Sequence, residues 1–156
     1  MKYLLSYHTD TGRVKQVNQD SLLLQSGCLK GERAVLAVLC DGMGGLEKGE
    51  VASASVIRRF ARWFRQELPA LLKKGQKKRE AGVLAAWTAI LEQEAEAIGA
   101  YGRRHGIAVG TTATAMLFAG GVYYIVHVGD GRVYELDGGI RQLTRDQTLA
   151  EREVEQ

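Results

Sequence analysis

The chain has 156 residues, of which 46% are hydrophobic and 25% charged, and its formal net charge is +3. This length suits one globular domain, and the composition is typical of a soluble protein. No apolar stretch approaches the roughly 20 residues of a membrane span, and the N-terminus lacks a signal-peptide pattern. We therefore expect a cytoplasmic protein with no membrane partner.

The cysteine and lysine patterns disfavour two further classes of protein, those built on disulfides or zinc and those that bind nucleic acid. Cys28 and Cys40 are too few for a disulfide framework and lack the C-x-x-C spacing of a zinc site. Cys40 lies in an apolar run and is expected to pack as a small hydrophobe. The basic cluster "KKGQKKRE" at 73–80 contains a glycine between two helical patterns. It favours a solvated linker over a binding patch, so we expect no nucleic-acid partner.

The first part of the chain reads as strands. Residues 2–9 and 21–27 form short apolar runs on either side of a polar loop. Residues 33–40, "RAVLAVLC", are a continuous apolar run that includes β-branched residues. Such a run is typical of a strand buried on both faces.

The middle of the chain has a helical period. Apolar residues recur every three or four positions after Glu50, with arginines largely opposite. A second helix is predicted over about 81–104, with Leu84 and Trp87 in its buried stripe and Gly106 as its stop.

The last part of the chain returns to strands. Three or four apolar runs are separated by glycines at 120–121, 129–131 and 138–139, which favour hairpins and turns. Strands, then two helices, then strands predict an α+β fold with a largely antiparallel sheet and helices on one face. Residues 145–156 begin a further charged helical pattern.

Asp41 ends the buried run and is followed at once by Gly-Met-Gly-Gly. A charge there is costly unless it is paired or bound to a metal. A dinucleotide loop is disfavoured because Glu47 replaces the last glycine of G-x-G-x-x-G, and the Walker pattern is absent. An Asp-Gly turn without chemistry and a divalent-metal site both remain open.

Two other aspartates favour the metal site. Asp130 lies between glycines after an apolar strand, and Asp20 precedes another strand. Three aspartates at strand ends could converge on one rim of a sheet. Oxygen ligands alone select Mg²⁺ or Mn²⁺ over zinc, and a pair of such ions suits hydrolysis of a phosphate ester.

Five segments strengthen this interpretation: "TDTGRVKQVNQDSLL", "VLCDGMGG", "GTTATAML", "YYIVHVGDGRVYEL" and "QLTRDQT". In this order they resemble the bacterial metal-dependent serine/threonine protein phosphatases, the PPM or protein phosphatase 2C family. The resemblance implies an α-β-β-α sandwich of two antiparallel sheets with flanking helices. It also implies two Mn²⁺ or Mg²⁺ ions, with a third in bacterial members. The resemblance further implies that a metal-bound water attacks phosphoserine or phosphothreonine, so no side chain is assigned as a catalytic residue.

The family's ligands carry over position by position. Asp41 matches the metal-bridging aspartate, and Gly42 matches the residue whose backbone carbonyl binds a metal. Asp20 matches the acidic residue of the N-terminal motif, and Asp130 matches the aspartate that helps to hold the third ion. The threonines of "GTTATAML" are expected to be core sheet residues without a catalytic role.

The chain departs from the family pattern around the phosphate. Lys15 stands at the usual Arg position and binds phosphate as a point charge rather than as a bidentate fork. Gln19 replaces a Glu, and Met43 stands where some relatives have a His. Arg13 is a second cation nearby, for which phosphate contact and a solvated loop charge remain equally open.

Family members continue well beyond the equivalent of the last residue here. Residues 1–156 are therefore expected to be an incomplete, N-terminal portion of a phosphatase domain, truncated on its C-terminal side. Expected partners are proteins that a bacterial Ser/Thr kinase has phosphorylated on serine or threonine. The alternative is a catalytically inactive module that binds a phosphoprotein or a partner chain. Unpaired sheet edges would also permit self-association.

Overall fold

The computed structural model describes residues 3–29, 31–44 and 48–147, in which strands flank a central helical segment. The strands of the first part are β1 (Ser21–Leu29), β2 (Glu32–Cys40) and β3 (Gly42–Gly44). The helices are α1 (Gly49–Gln66), α2 (Leu68–Leu71) and α3 (Gln76–His105). The remaining strands are β4 (Val109–Thr111), β5 (Ala113–Ala119), β6 (Val122–Val128), β7 (Tyr134–Leu136) and β8 (Ile140–Gln142).

A four-stranded antiparallel sheet in the order β1-β2-β5-β6 forms the centre of the fold. Two short pairs, β3-β4 and β7-β8, accompany it. The turn between β5 and β6 is made by Gly120 and Gly121, with φ of 63° and 76°. These angles suit the tight hairpins that match the strand twist. The prediction of an α+β fold with antiparallel sheets is confirmed.

The core lies between one face of this sheet and the helices. On β2 the side chains of Ala34, Leu36, Val38 and Cys40 point to the helices, and each is at most 1% exposed. Two edge-to-face aromatic contacts fill the helical side. The Trp63 and Trp87 ring centroids are 5.4 Å apart, and the Phe60 and Trp87 centroids 5.6 Å. The helices therefore cover the sheet through large aromatic side chains set against small strand residues.

The other face of the sheet is more open than the sequence predicted. On β2, Val35 is buried, but Leu39 is 44% exposed. Phe118 on β5 and Tyr123 on β6 are 36% and 37% exposed. The prediction that residues 33–40 are buried on both faces is therefore wrong for this second face. The reason is that, in the described part of the chain, the helices pack on one side only.

The predicted first strand over residues 2–9 does not form in the described part, which begins at residue 3. Leu4 is 99% exposed and Tyr7 70%, while the Tyr3 ring lies 6.3 Å from that of Phe118. A strand requires a hydrogen-bonded neighbour, and an apolar run alone does not supply one. The prediction was wrong because it rested on the apolar composition of the segment and identified no strand with which the segment could pair.

The α3 helix begins earlier than predicted and buries a shifted stripe. It starts at Gln76, so part of the basic cluster is helical rather than linker. Arg79 forms a two-pronged ion pair with Glu32 at the start of β2, with nitrogen–oxygen distances of 2.8 and 3.1 Å. Val83 is buried beside Trp87, whereas Leu84, predicted to be buried, is 64% exposed. Gly106 ends the helix with a φ of 65°, as predicted.

The end of the described chain carries no helix. Residues 145–147 are irregular, and the rest of the predicted helix, 148–156, lies outside the described residues. Among the described helices, none combines the length and apolar character that crossing a bilayer would need.

The two cysteines differ in a way that thiol chemistry detects. Cys28 is exposed, while Cys40 is buried and burial raises the pKa of its thiol to about 12. Only the thiolate reacts readily. We expect a chromogenic disulfide reagent to modify one thiol per folded chain quickly, and the second only after denaturant is added. The matched Cys28→Ser chain should show no fast thiol. Two equally fast thiols in the folded chain would contradict this packing.

Candidate functional site

Four segments of the sequence meet at one end of the central sheet. Asp20 immediately precedes β1 and Asp41 immediately follows β2, while Thr112 immediately precedes β5 and Asp130 lies two residues after β6. Because neighbouring strands are antiparallel, these starts and ends lie along the same edge. The sheet topology therefore brings together three aspartates that are far apart in sequence.

The backbone of Asp41 is held by Thr112 on the neighbouring segment. The β3–β4 pair continues the register of β2–β5, because Gly42 faces Thr111 and Asp41 therefore faces Thr112. The Thr112 N–H donates to the Asp41 carbonyl over 2.9 Å, as in an ordinary ladder. The Asp41 N–H, however, donates to the Thr112 hydroxyl over 2.9 Å. A side-chain oxygen thus replaces a backbone carbonyl at the point where the strand ends.

Thr111 adds a second contact to the same carbonyl. Its hydroxyl lies 3.0 Å from the Asp41 carbonyl oxygen and 2.9 Å from that of Thr112, so its single proton serves one acceptor at a time. Thr111 and Thr112 therefore fix the direction in which the chain leaves β2. The prediction that these threonines are only core residues was incomplete, since both position the Asp41 backbone.

Glycines allow two backbones to meet beside the aspartate. The Gly42 N–H donates to the Gln19 carbonyl over 3.2 Å. A Cβ placed on Gly42 would lie 2.3 Å from the Gln19 oxygen and 2.4 Å from the Gly49 oxygen. A Cβ on Gly49 would lie 2.7 Å from the Gly42 carbonyl carbon. Since real Cβ atoms do not approach so closely, both positions require glycine.

The segment that carries Asp20 is anchored from α1. The buried Ser53 hydroxyl donates to the Gln19 carbonyl over 2.7 Å and lies 2.8 Å from the Ser21 hydroxyl. The Asp20 N–H donates to the Asn18 side chain over 3.0 Å. These contacts fix the backbone on both sides of Asp20, so the first turns of α1 and the N-terminal loop form one frame.

The charges at this edge act on one another. The Asp41 residue is exposed, yet partial loss of hydration raises the pKa of its carboxyl. The negative charge of Asp20 and a side-chain hydrogen bond with it raise this pKa further. Lys15 lowers it, and Asp130 adds a smaller rise. Asp20, Asp41 and Asp130, the three aspartates predicted to converge, therefore act on one another electrostatically, and Lys15 lies within reach of Asp41.

The donors at this edge suit a hard divalent ion only in part. Carboxylates and backbone carbonyls are the oxygen ligands that Mg²⁺ and Mn²⁺ prefer, and a cation would relieve the repulsion around Asp41. Across residues 3–29, 31–44 and 48–147, however, no three His, Cys, Asp or Glu side chains approach closely enough to hold an ion by themselves. The described residues therefore fit part of a metal centre rather than a complete one.

The loop that carries Asp130 is tied to the end of the described chain. Arg132 forms a two-pronged ion pair with Asp146, with a shortest distance of 2.6 Å. The Gln147 N–H donates to the Gly129 carbonyl over 2.7 Å. Asp130 itself is exposed between these ties.

The two predicted phosphate-binding cations are placed differently. Lys15 is exposed in the N-terminal loop and close enough to Asp41 to act on its pKa. Arg13 is exposed in a turn of the same loop, and no contact found among the described residues joins it to the aspartates. Lys15 therefore lies within electrostatic reach of Asp41, whereas Arg13 lies in the same loop without a contact to the aspartates among the described residues.

Known proteins match this chain over most of its length. Residues 9–154 match the family model described as protein phosphatase 2C. The serine/threonine protein phosphatase PstP of Mycobacterium tuberculosis is 38% identical over 152 residues, which are 95% of this chain and 26% of that protein. The serine/threonine phosphatase stp of Listeria innocua is 30% identical over 92% of this chain and 54% of its own length.

Solved structures agree with the sequence matches. The catalytic domain of PstP, crystallised with two manganese ions, superposes with a TM-score of 0.74 at 34% identity. The match covers 95% of this chain and 57% of that one. A serine/threonine phosphatase of S. agalactiae gives a TM-score of 0.75 at 25% identity and similar coverage. The chain thus spans about a quarter of PstP and about half of stp and of these solved domains.

Removing the charge of Asp41 should stabilise the metal-free chain. Because the folded state raises the pKa of this carboxyl, it binds the proton more tightly than the unfolded state, and stability falls as pH rises through that range. We expect Asp41→Asn to raise Tm at pH 7 in EDTA by about 1–3 °C. The difference should vanish at pH values where the carboxyl is protonated in both states.

Thermal unfolding followed by circular dichroism measures this effect. The matched control is Asp137→Asn, in the exposed turn between β7 and β8, which should leave Tm unchanged. A lower Tm for Asp41→Asn at pH 7 would contradict this, because it would show that the negative charge of Asp41 is stabilised by its surroundings.

Proposed function

The chain belongs to the protein phosphatase 2C family, and on that premise we propose that it forms the N-terminal portion of a metal-dependent serine/threonine protein phosphatase domain. The observation that supports this most directly is the environment of Asp41. Its carboxyl lies at a sheet edge within electrostatic reach of Asp20 and Asp130. Such crowding of like charges is costly without a cation, and functional sites commonly accept this cost.

In this proposal the aspartates hold divalent ions. Asp41, the Gly42 carbonyl and Asp20 would hold two Mn²⁺ or Mg²⁺ ions, and Asp130 would help to hold a third. When bound, the ions supply positive charge that polarises a water molecule and neutralises the phosphate group. The role of the protein is to keep the carboxylates in place before the ions bind, and the contacts of Thr111, Thr112 and the Gly42 backbone support this role.

Lys15 is proposed to bind the substrate phosphate. Its ammonium group lies near Asp41 on a loop that is exposed to solvent, where a phosphorylated side chain can approach it. As a point charge it attracts phosphate without fixing its orientation. Arg13, which is exposed in the same loop, is proposed as a second and weaker cation for the substrate phosphate.

The proposed substrates are proteins phosphorylated by a bacterial Ser/Thr kinase, because the relatives named above are serine/threonine phosphatases of bacteria. A cytoplasmic location stays a prediction from the sequence.

A second candidate is a phosphatase-fold module that binds a phosphoprotein or a partner chain without hydrolysis. One observation favours it. The described residues supply an incomplete set of metal ligands.

Hydrolysis of p-nitrophenyl phosphate by the purified chain separates the two candidates. We expect hydrolysis that requires Mn²⁺, stops in EDTA and falls by about 100-fold or more in Asp41→Asn, since a ligand should matter at least as much as its supporting groups. The Asp137→Asn chain should keep full activity. A chain that circular dichroism shows to be folded, but that hydrolyses nothing with Mn²⁺, would favour the binding module.

Lys15 offers a separate test of phosphate binding. Removing its charge in Lys15→Gln should raise KM for the aryl phosphate by about tenfold, with a smaller change in kcat. Lys15→Arg should restore KM or lower it below the original value, because a guanidinium can grip two phosphate oxygens. Equal KM values in all three chains would exclude this residue from phosphate binding.

A further inference from the structure

Thr112 contacts both segments that carry aspartates at the edge of the sheet. Its hydroxyl accepts the Asp41 N–H over 2.9 Å. Its methyl group faces Gly129, the residue before Asp130, because a Cβ on Gly129 would lie only 2.6 Å from the Thr112 Cγ2 atom. Thr112 itself is 7% exposed. One side chain therefore lies between the two segments.

The geometry of Gly129 makes this contact specific. Its φ of 109° lies in the region that favours glycine, and its Cα approaches the threonine without a side chain between them. On its other side Gly129 is held by Gln147, whose N–H donates to the Gly129 carbonyl. Gln147 and the Thr112 methyl group thus both contact Gly129, in the turn before Asp130.

We infer that Thr112 is a positioning residue that couples the placement of Asp41 to that of Asp130. The hydroxyl sets the backbone of Asp41, and the methyl group sets the distance of the Asp130 turn from it. Threonine alone among the natural residues of this size offers both groups. Serine keeps the hydroxyl and loses the methyl group, while valine keeps the branched shape and loses the hydroxyl.

The inference rests on the proposed function where it concerns metal affinity. Groups that orient metal ligands typically change affinity by 10- to 100-fold when removed. We expect Thr112→Val to weaken Mn²⁺ binding, measured by calorimetry, by about tenfold. Thr112→Ser should weaken it less, by about two- to threefold, because the Asp41 bond survives. Thr88→Val, at an exposed position on α3, is the matched control and should bind Mn²⁺ normally.

A second measurement tests the coupling without any metal. Amide hydrogen exchange followed by NMR reports the Asp41 N–H directly. It should exchange about tenfold or more faster in Thr112→Val and at the original rate in Thr112→Ser, since a lost acceptor removes protection. The Asp130 amide resonance should shift in Thr112→Ser, which retains the Asp41 bond but lacks the methyl contact.

The two measurements keep the two claims apart. If the original chain does not bind Mn²⁺, the proposed metal site fails, and the exchange data alone decide whether Thr112 positions the two segments. Unchanged Asp41 exchange in Thr112→Val would overturn the inference. So would an Asp130 resonance that stays in place in Thr112→Ser. Mn²⁺ binding that is weaker in Thr112→Ser than in Thr112→Val would overturn it as well.

Discussion

The antiparallel pairing of β2 with β5 is the constraint on which the rest of the site depends. It places the end of one buried strand beside the start of another, so that Asp41 and Thr112 face each other. Both strands are pinned from the helical side, where Val38 and Ala115 are at most 1% exposed. A one-residue slip would turn this buried face outward. The position of the aspartate is therefore fixed by the core, and the site inherits its precision from packing.

The same edge carries an unfavourable concentration of charge. Asp20 and Asp41 repel each other, and among the described groups that act on the Asp41 carboxyl Lys15 opposes this repulsion. The fold tolerates this because the surrounding backbone is held independently of the carboxylates, by Ser53 on one side and Thr112 on the other. The backbone beside the aspartates is thus held by hydroxyl–backbone bonds, which leaves the carboxylates available for a cation. This division of roles is what pre-organisation for metal binding requires.

Much of this arrangement could be predicted from the sequence, because periodicity and glycine placement report local structure well. The buried β2, the α1 helix, the Gly106 stop and the Gly120–Gly121 turn follow from such signals. The aspartates stood out because a charge at the end of an apolar run is unusual.

Three features could not be read in the same way, since each depends on a partner distant in sequence. Residues 3–9 resemble a strand but have no strand neighbour in the described chain, and the described part of the chain covers the second face of β2 only in part. Thr112 looked like an ordinary strand residue, and only the β2–β5 register reveals that its hydroxyl meets Asp41. A hydroxyl residue directly before a buried strand is a weak signal that could have marked it.

Asp41 is the central ligand of the proposed divalent-metal site, and anomalous diffraction can show whether an ion binds there. A crystal of the chain soaked in Mn²⁺ and measured at the manganese absorption edge would locate the ion itself. We expect an anomalous peak about 2 Å from a carboxylate oxygen of Asp41, with the Gly42 carbonyl or Asp20 as a further ligand. A well-occupied peak elsewhere, or none near Asp41 at saturating Mn²⁺, would contradict it.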